Sequence, residues 1–353
     1  MYMFAFKLNQ DLIKKLAVFA LFFLLLFIGF WRLSYSPATW YDEGINAGIA
    51  KSLVQDGVFS LKVAPDEFVE TRQFLITTNY PVLIPVALSL KFFGVNFAAA
   101  RLPMIIYLFL FALVAYIATR KWYGEDAALA TLALIVFFLP FYGNGKSVLG
   151  EVAGLFFLVA GLLFLENNNL KKIFLAGLFL GLSVATKPFF LLVLPALFVG
   201  EVYRCFVKEK RKLPEYFYLG LGLVVPILIW FWTINPNLNF GNIVTAFQYY
   251  SNSYADKTNI FELVFSNLKR FFSETTPLHF AVLFAVSSVM LIRGLYKKII
   301  SVPELVLFVF VCLNFLWYLK TPGWYRYFFP AEIIATLGKT ACQNGMDIEY
   351  FDP

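Results

Sequence analysis

The stretch "RCFVKEKRK", residues 204–212, packs five cations between two apolar runs, 188–204 and 215–234. Short loops on the cytoplasmic side of a membrane carry an excess of Lys and Arg. The side on which this stretch falls therefore decides how the chain is threaded. Around it, 60% of the 353 residues are hydrophobic and only 14% are charged, against about 25% in soluble domains. Mean hydropathy is +0.73. The class is an all-α integral membrane protein, and the apolar runs recur so evenly that one continuous membrane domain is expected.

A helix crossing a ~30 Å hydrocarbon core needs roughly 20 apolar residues. Runs of suitable character cover 16–34, 98–119, 127–143, 150–165, 171–186, 188–204, 215–234, 277–293 and 302–319, with a further start at 325–338. This gives a multi-pass bundle of about 9–10 transmembrane helices. The first run follows Lys14 and Lys15 as a leader's would, but it is long, aromatic and without a small-residue cleavage site, so it reads as a retained helix. With the N-terminus in the cytoplasm and every run counted singly, the inside loops hold Arg120 and Lys121, Lys171 and Lys172, the 204–212 cluster, then Arg293, Lys297 and Lys298. The short outside loops hold Lys146 and Lys187. Fusing 127–165 or 171–204 into one helix puts the 204–212 cluster outside, which the charge rule rejects.

The net charge of +7 is thus spent on membrane orientation and implies no nucleic-acid partner. Cys205, Cys312 and Cys342 lie far apart, without metal-ligand spacing. The single histidine, His279, excludes a multi-histidine metal site.

Two long segments face outward, 35–97 and 235–276. In the first, Ile45, Ile49 and Leu53 recur at helical spacing, predicting a short amphipathic helix along the interface that stops near Gly57. Residues 79–94, "NYPVLIPVALSLKFFG", are apolar but short and proline-interrupted, as an interfacial or re-entrant piece would be. The second segment, rich in Asn, Tyr and Phe, reads as a polar lid. Residues 1–338 form the membrane domain on this reading. The polar stretch 339–353 is expected to be a truncated end, with a natural tail as the alternative.

Ionisable groups at membrane depth are costly and are functional candidates by default. Four fall on the outer side: the Asp42–Glu43 pair in "WYDEG", Glu151 entering the fourth run, Lys187 in "ATKPFF" and Arg326 in "TPGWYRYFFP". Each also has a plain reading. An acid can favour a helix N-terminus, and a long cation can snorkel to the interface. Arg101 and Arg72 read better as anchors of interfacial helices. Two acids and two cations converging on one leaflet suggest a cavity for a ligand bearing an anionic group and hydroxyls.

"WYDEG" after the first run, "SVLGEVAGLFFLVAG" entering the fourth and "SVATKPFF" ending the fifth resemble the GT-C glycosyltransferases. The members concerned are the protein mannosyltransferase-like and aminoarabinose-transferase-like enzymes that use polyprenyl-phosphate sugars. The likeness in motifs covers about residues 16–205, with "RYFFP" adding to it near the end. It implies that the first-loop acid, Asp42 with Glu43 beside it, is the base or acceptor-positioning group. It implies that Glu151 stands where the family usually has Asp, and that Thr186 and Lys187 match its Thr-Lys. Two positions depart: Ile45 replaces an Arg, and Asn79-Tyr80-Pro81 replaces a stretch with a phosphate-reaching lysine. The donor phosphate then falls to Lys187, Arg326 or Arg72, and acceptor or sugar binding to Glu151, Tyr80 and Asn79.

A polyprenyl-phosphate leaving group is already stable as an anion, so no general acid is needed. The acceptor hydroxyl or amine must lose a proton, which Asp42 accepts, and attack opposite the leaving group inverts the anomeric carbon. Partners implied are the polyprenyl-phosphate sugar donor, membrane lipid, and an acceptor protein, lipid or glycan. No cofactor is required; a divalent cation between Asp42 and Glu151 is the minor alternative. The chain shows no glycine-rich phosphate loop, which favours a lipid-linked donor over a nucleotide sugar. The rival classes are a transporter or flippase, which usually has repeated halves, and a scaffold or inactive relative.

The threading is open to direct test. In a cysteine-free background, Asp66→Cys should react with an impermeant maleimide added to intact cells, while Asn168→Cys should react only after permeabilisation. The reverse pattern would overturn the topology.

Overall fold

The computed structural model describes residues 10–69, 78–207, 210–234, 241, 244, 259–297, 300–321, 323 and 325–339. Backbone in hydrocarbon must satisfy its own N–H and C=O groups, and the apolar runs accordingly become helices. In chain order these are α1 (Gln10–Phe30), α2 (Tyr41–Gln55), α3 (Tyr80–Phe93), α4 (Phe97–Tyr123), α5 (Glu125–Phe137), α6 (Leu139–Gly145), α7 (Glu151–Leu165) and α8 (Leu170–Thr186). A 3-10 turn, Pro188–Leu192, leads into α9 (Val193–Val207), followed by α10 (Leu213–Ile234), α11 (Ile260–Ser273), α12 (Thr275–Tyr296), α13 (Val302–Leu319) and α14 (Tyr325–Lys339). A small antiparallel hairpin, β1 (Lys62–Ala64) and β2 (Glu67–Phe68), interrupts the first long loop. Side-chain caps mark several helix starts: Asn96 accepts the Ala99 N–H at 2.8 Å, Asn169 that of Lys171 at 2.9 Å, and Ser301 forms a capping box with Glu304.

Every apolar run maps onto a helix or a broken pair. Among the described residues, six helices are long and apolar enough to cross a membrane by themselves, with α5 and α6 a seventh if counted as one span. α7 is shorter, 15 residues or about 22 Å, and is buried along most of its length, so its neighbours rather than lipid surround it.

The bend between α5 and α6, 66°, has a chemical cause. Pro140 has no N–H to offer the carbonyl four residues earlier, that of Val136. The Tyr142 hydroxyl donates to this carbonyl instead, at 2.9 Å.

α8 and α10 pack through glycine. A Cβ on Gly177 would collide with the Leu219 carbonyl, one on Gly181 would sit 2.5 Å from the Leu223 carbonyl, and one on Gly222 would strike the Phe174 carbonyl. Gly177 and Gly181 form the G-x-x-x-G spacing that lets membrane helices bring their backbones together.

The first long loop contains the helix expected near 41–55 and the short apolar piece at 79–94, now α2 and α3. Both sit on a second apolar cluster with parts of α4, α7, α8 and α10, in which Ile49, Val82, Leu83 and Trp230 are buried. The buried face of α2 is broader than the expected Ile45–Ile49–Leu53 stripe. Glu43, Asn46, Ile49, Ala50 and Ser52 are buried, and Ile45 and Leu53 pack half-buried against the same cluster, so the buried face is the expected stripe widened to include polar residues. Of the expected polar lid at 235–276, residues 260–273 are α11, docked by Asn267 on the carbonyls of Leu319 (3.1 Å) and Thr321 (2.8 Å). Residues 235–258, apart from 241 and 244, lie outside the described residues, as does 340–353 of the expected tail.

The cation-rich loops meet at the far end from α2. There Arg211 contacts Glu201 at 3.2 Å and caps the Leu165 carbonyl, and Tyr123 donates to Glu304 at 2.6 Å.

The glycine contact makes a clear prediction. Gly177→Leu should lower the melting temperature in detergent sharply, by an overpacking cost of roughly 1–3 kcal/mol or more. Gly220→Leu should change it little, because nothing lies within 4 Å of a Cβ there.

Candidate functional site

Asp42 and Glu43 stand in the first turn of α2, where carboxylates favour the positive helix end. Consecutive helical residues point about 100° apart, and these two diverge. Glu43 is fully buried and holds Arg101, also fully buried, with two bonds of 2.7 Å to Arg101 Nε and Nη2. The guanidinium also donates to the carbonyls of Leu33 (2.9 Å) and Pro37 (3.0 Å). Glu43 further accepts the Val148 N–H at 3.3 Å. The expectation that Glu43 acts beside Asp42 is corrected by this geometry: it is a structural tie, and Arg101 is the anchor that its sequence position suggested.

Asp42 is the carboxylate left facing outward. Its Oδ2 lies 2.6 Å from Arg326 Nη1, with side-chain exposures of 22% and 12%. Arg326 donates from Nη2 to the Tyr327 hydroxyl at 3.1 Å and lies over that ring, 4.9 Å from its centre.

The turn before α7 is held in place from several sides. Gly150 takes a left-handed conformation, φ +86°, which glycine adopts without strain. Asn46 donates to the Val148 carbonyl at 2.6 Å and to Thr78 at 3.1 Å, and Thr78 donates to the Leu149 carbonyl at 3.0 Å. Lys187 adds a bond to the same carbonyl at 2.9 Å and pairs with Glu151. Burial pulls the Lys187 ammonium below its ordinary range, against the pull of Glu151. Glu151 is fully buried, and its Oε2 has no hydrogen-bond partner among the described residues.

The four ionisable groups expected to converge do so. Lys187 interacts electrostatically with Glu151, Arg326 and Asp42, and Arg326 with Asp42 and Glu151. They form two ion pairs, Asp42–Arg326 and Glu151–Lys187. The remaining candidates go elsewhere. Asn79 is buried at the start of α3 and accepts from Thr233 at 3.0 Å, while the Tyr80 hydroxyl donates to the Pro226 carbonyl at 3.3 Å. Both tie α3 to α10, and the Asn79 N–H also donates to the Thr186 carbonyl, next to Lys187, at 3.2 Å. Arg72 lies outside the described residues.

Asn46, Thr78 and Lys146 were missed. Asn46 lies one helical turn beyond Glu43, a spacing that could have flagged it. Lys146 is buried and donates to the carbonyls of Ile28 (3.3 Å) and Trp31 (2.8 Å), closing the end of α1.

Residues 82–232 match the model of the dolichyl-phosphate-mannose-protein mannosyltransferase family. No curated protein matches the chain. Among solved structures, ArnT from Cupriavidus metallidurans bound to undecaprenyl phosphate is similar at a TM-score of 0.62 and 15% identity, over 96% of this chain and 60% of that one. The oligosaccharyltransferase of Archaeoglobus fulgidus, in complex with Zn and sulfate, is similar at 0.60 and 13% identity, over 95% of this chain and 50% of that one. The chain therefore spans between half and two thirds of the length of these proteins.

The Glu43–Arg101 tie predicts a stability pattern. Glu43→Ala should cost about 3–5 kcal/mol by stranding a buried cation, read by thermal or denaturant unfolding in detergent. Glu43→Leu combined with Arg101→Met should recover much of that loss.

Proposed function

We propose that this chain, whose fold is that of the GT-C glycosyltransferases, moves a sugar from a polyprenyl-phosphate-linked donor to an acceptor hydroxyl or amine at the extracytoplasmic face of the membrane. The observation that carries the reading is the Asp42 carboxylate, partly exposed and 2.6 Å from a guanidinium, beside a buried acid with an unpartnered oxygen. A base and a phosphate-binding cation side by side are what transfer from a lipid phosphate needs.

In this reading the acceptor enters at the exposed side of Asp42 and gives up its proton to Oδ1 or Oδ2 as its oxygen or nitrogen bonds to the anomeric carbon. The bond from that carbon to the phosphate oxygen breaks, and polyprenyl phosphate leaves as the anion. Direct displacement inverts the anomeric centre. Arg326 is suited to hold the leaving phosphate, since a guanidinium offers a planar fork of donors to a phosphate, and charge held in a water-poor site acts strongly on a developing anion. Lys187 has a different part from the one its position suggested: it braces Glu151 and the Leu149 carbonyl. Glu151 Oε2 is placed to accept a hydroxyl proton of the sugar or acceptor.

The lipid donor is supported by the undecaprenyl phosphate carried by a structure of the same fold and by the site's place at the end of a membrane bundle. The long isoprenoid then lies in the bilayer with its phosphate at the surface.

Membranes containing the chain, supplied with a panel of radiolabelled polyprenyl-phosphate sugars, should show label transferred to acceptor. Asp42→Asn should lower the rate by about 10²–10⁴-fold, the usual share of a general base, with the protein still present. Label crossing the membrane without covalent transfer would instead mark a flippase.

A further inference from the structure

We infer that Asp42 and the donor phosphate compete for one guanidinium, so that Arg326 occupies the base until the lipid phosphate draws it away. The inference rests on the proposed transfer and identifies how its donor would be sensed.

Among the described residues, the cations packed around these acids are mostly committed. Arg101 is committed to Glu43 and two carbonyls, and Lys146 to the carbonyls ending α1. Lys187, with a side chain 7% exposed, is committed to Glu151 and Leu149. Arg326 remains as the cation of this cluster whose principal anion, Asp42, is itself partly open to the outside. In the unliganded site two acids and two cations balance. A phosphate brings a third anion, and the guanidinium nearest the opening is the one it can recruit.

The same contact decides what Asp42 can do. One of its oxygens accepts an Arg326 N–H at 2.6 Å, so an acceptor hydroxyl must share that oxygen with the guanidinium. Moving the guanidinium onto phosphate exposes that oxygen to the acceptor at the moment the donor is seated. The base is then uncovered by the donor it will serve, and donor binds before acceptor. The cost appears as affinity, because apparent binding is weakened by the fraction of Arg326 held by Asp42.

Binding of a prenyl monophosphate without sugar tests this on the full chain in detergent, since it needs neither the right sugar nor an acceptor. Asp42→Asn should bind the probe roughly tenfold more tightly than wild type, and Arg326→Gln at least about tenfold more weakly. The double variant should match Arg326→Gln alone, because the Asp42 effect acts only through Arg326. Melting curves confirm folding, and Asp42→Ser, which should also bind more tightly, replaces Asp42→Asn if that variant fails to fold. Unchanged or weaker binding by the folded Asp42 variants, with Arg326→Gln weakened, would overturn the competition while leaving the phosphate site intact. Wild-type binding by Arg326→Gln would overturn both the competition and the donor-phosphate role of Arg326. Should no sugar be transferred while the tighter-and-weaker pattern holds, the transferase reading falls and the competition stands.

Discussion

A single buried guanidinium organises the end of the bundle where the site lies. Arg101 is wholly removed from solvent and makes four bonds, two to Glu43 and one each to the carbonyls of Leu33 and Pro37. A charge so placed is tolerated only with nearly every donor satisfied. The fork geometry of arginine, unlike the single ammonium of lysine, satisfies the carboxylate and both carbonyls together. Through these bonds the chain leaving α1, the start of α2 and the first turns of α4 are held as one unit. Glu43 extends the unit to the α7 turn by accepting the Val148 N–H.

The adjacent acids of α2 thereby divide two tasks that one carboxylate could not perform together. Helical geometry turns Glu43 inward to lock the loop and leaves Asp42 at the rim facing Arg326. Glu151, one residue past a left-handed glycine, is buried with an oxygen still unused. Buried polar atoms without partners are uncommon in folded proteins, and this one stands beside the partly exposed Asp42–Arg326 pair.

Much of this was legible in the sequence. The helical class and the places of the helices along the chain followed from the apolar runs, because backbone in hydrocarbon must bond to itself. The convergence of Asp42, Glu151, Lys187 and Arg326 followed from topology, and the motifs around them pointed to the fold. What could not be read was the direction in which each side chain points. The apolar stripe Ile45–Ile49–Leu53 suggested one face for α2. The Arg101 tie and the bonds of Asn46 to Thr78 and Val148 add a buried polar edge to that face, which depends on residues 32 to 102 positions away. Asn79 and Tyr80 are singled out by the resemblance, as the positions that replace a lysine-containing stretch. Their bonds to Thr233 and to the Pro226 carbonyl run between α3 and α10, contacts that no sequence spacing announces.

The mooring of α11 has a mechanical consequence for the same end of the molecule. Asn267 grips the carbonyls of Leu319 and Thr321, and Arg270 that of Gly323, 53 residues further along the chain. Those carbonyls run from the last residue of α13 to Gly323, three residues before Arg326. The footing of that guanidinium is thus fastened by a helix contributed from a different part of the polypeptide.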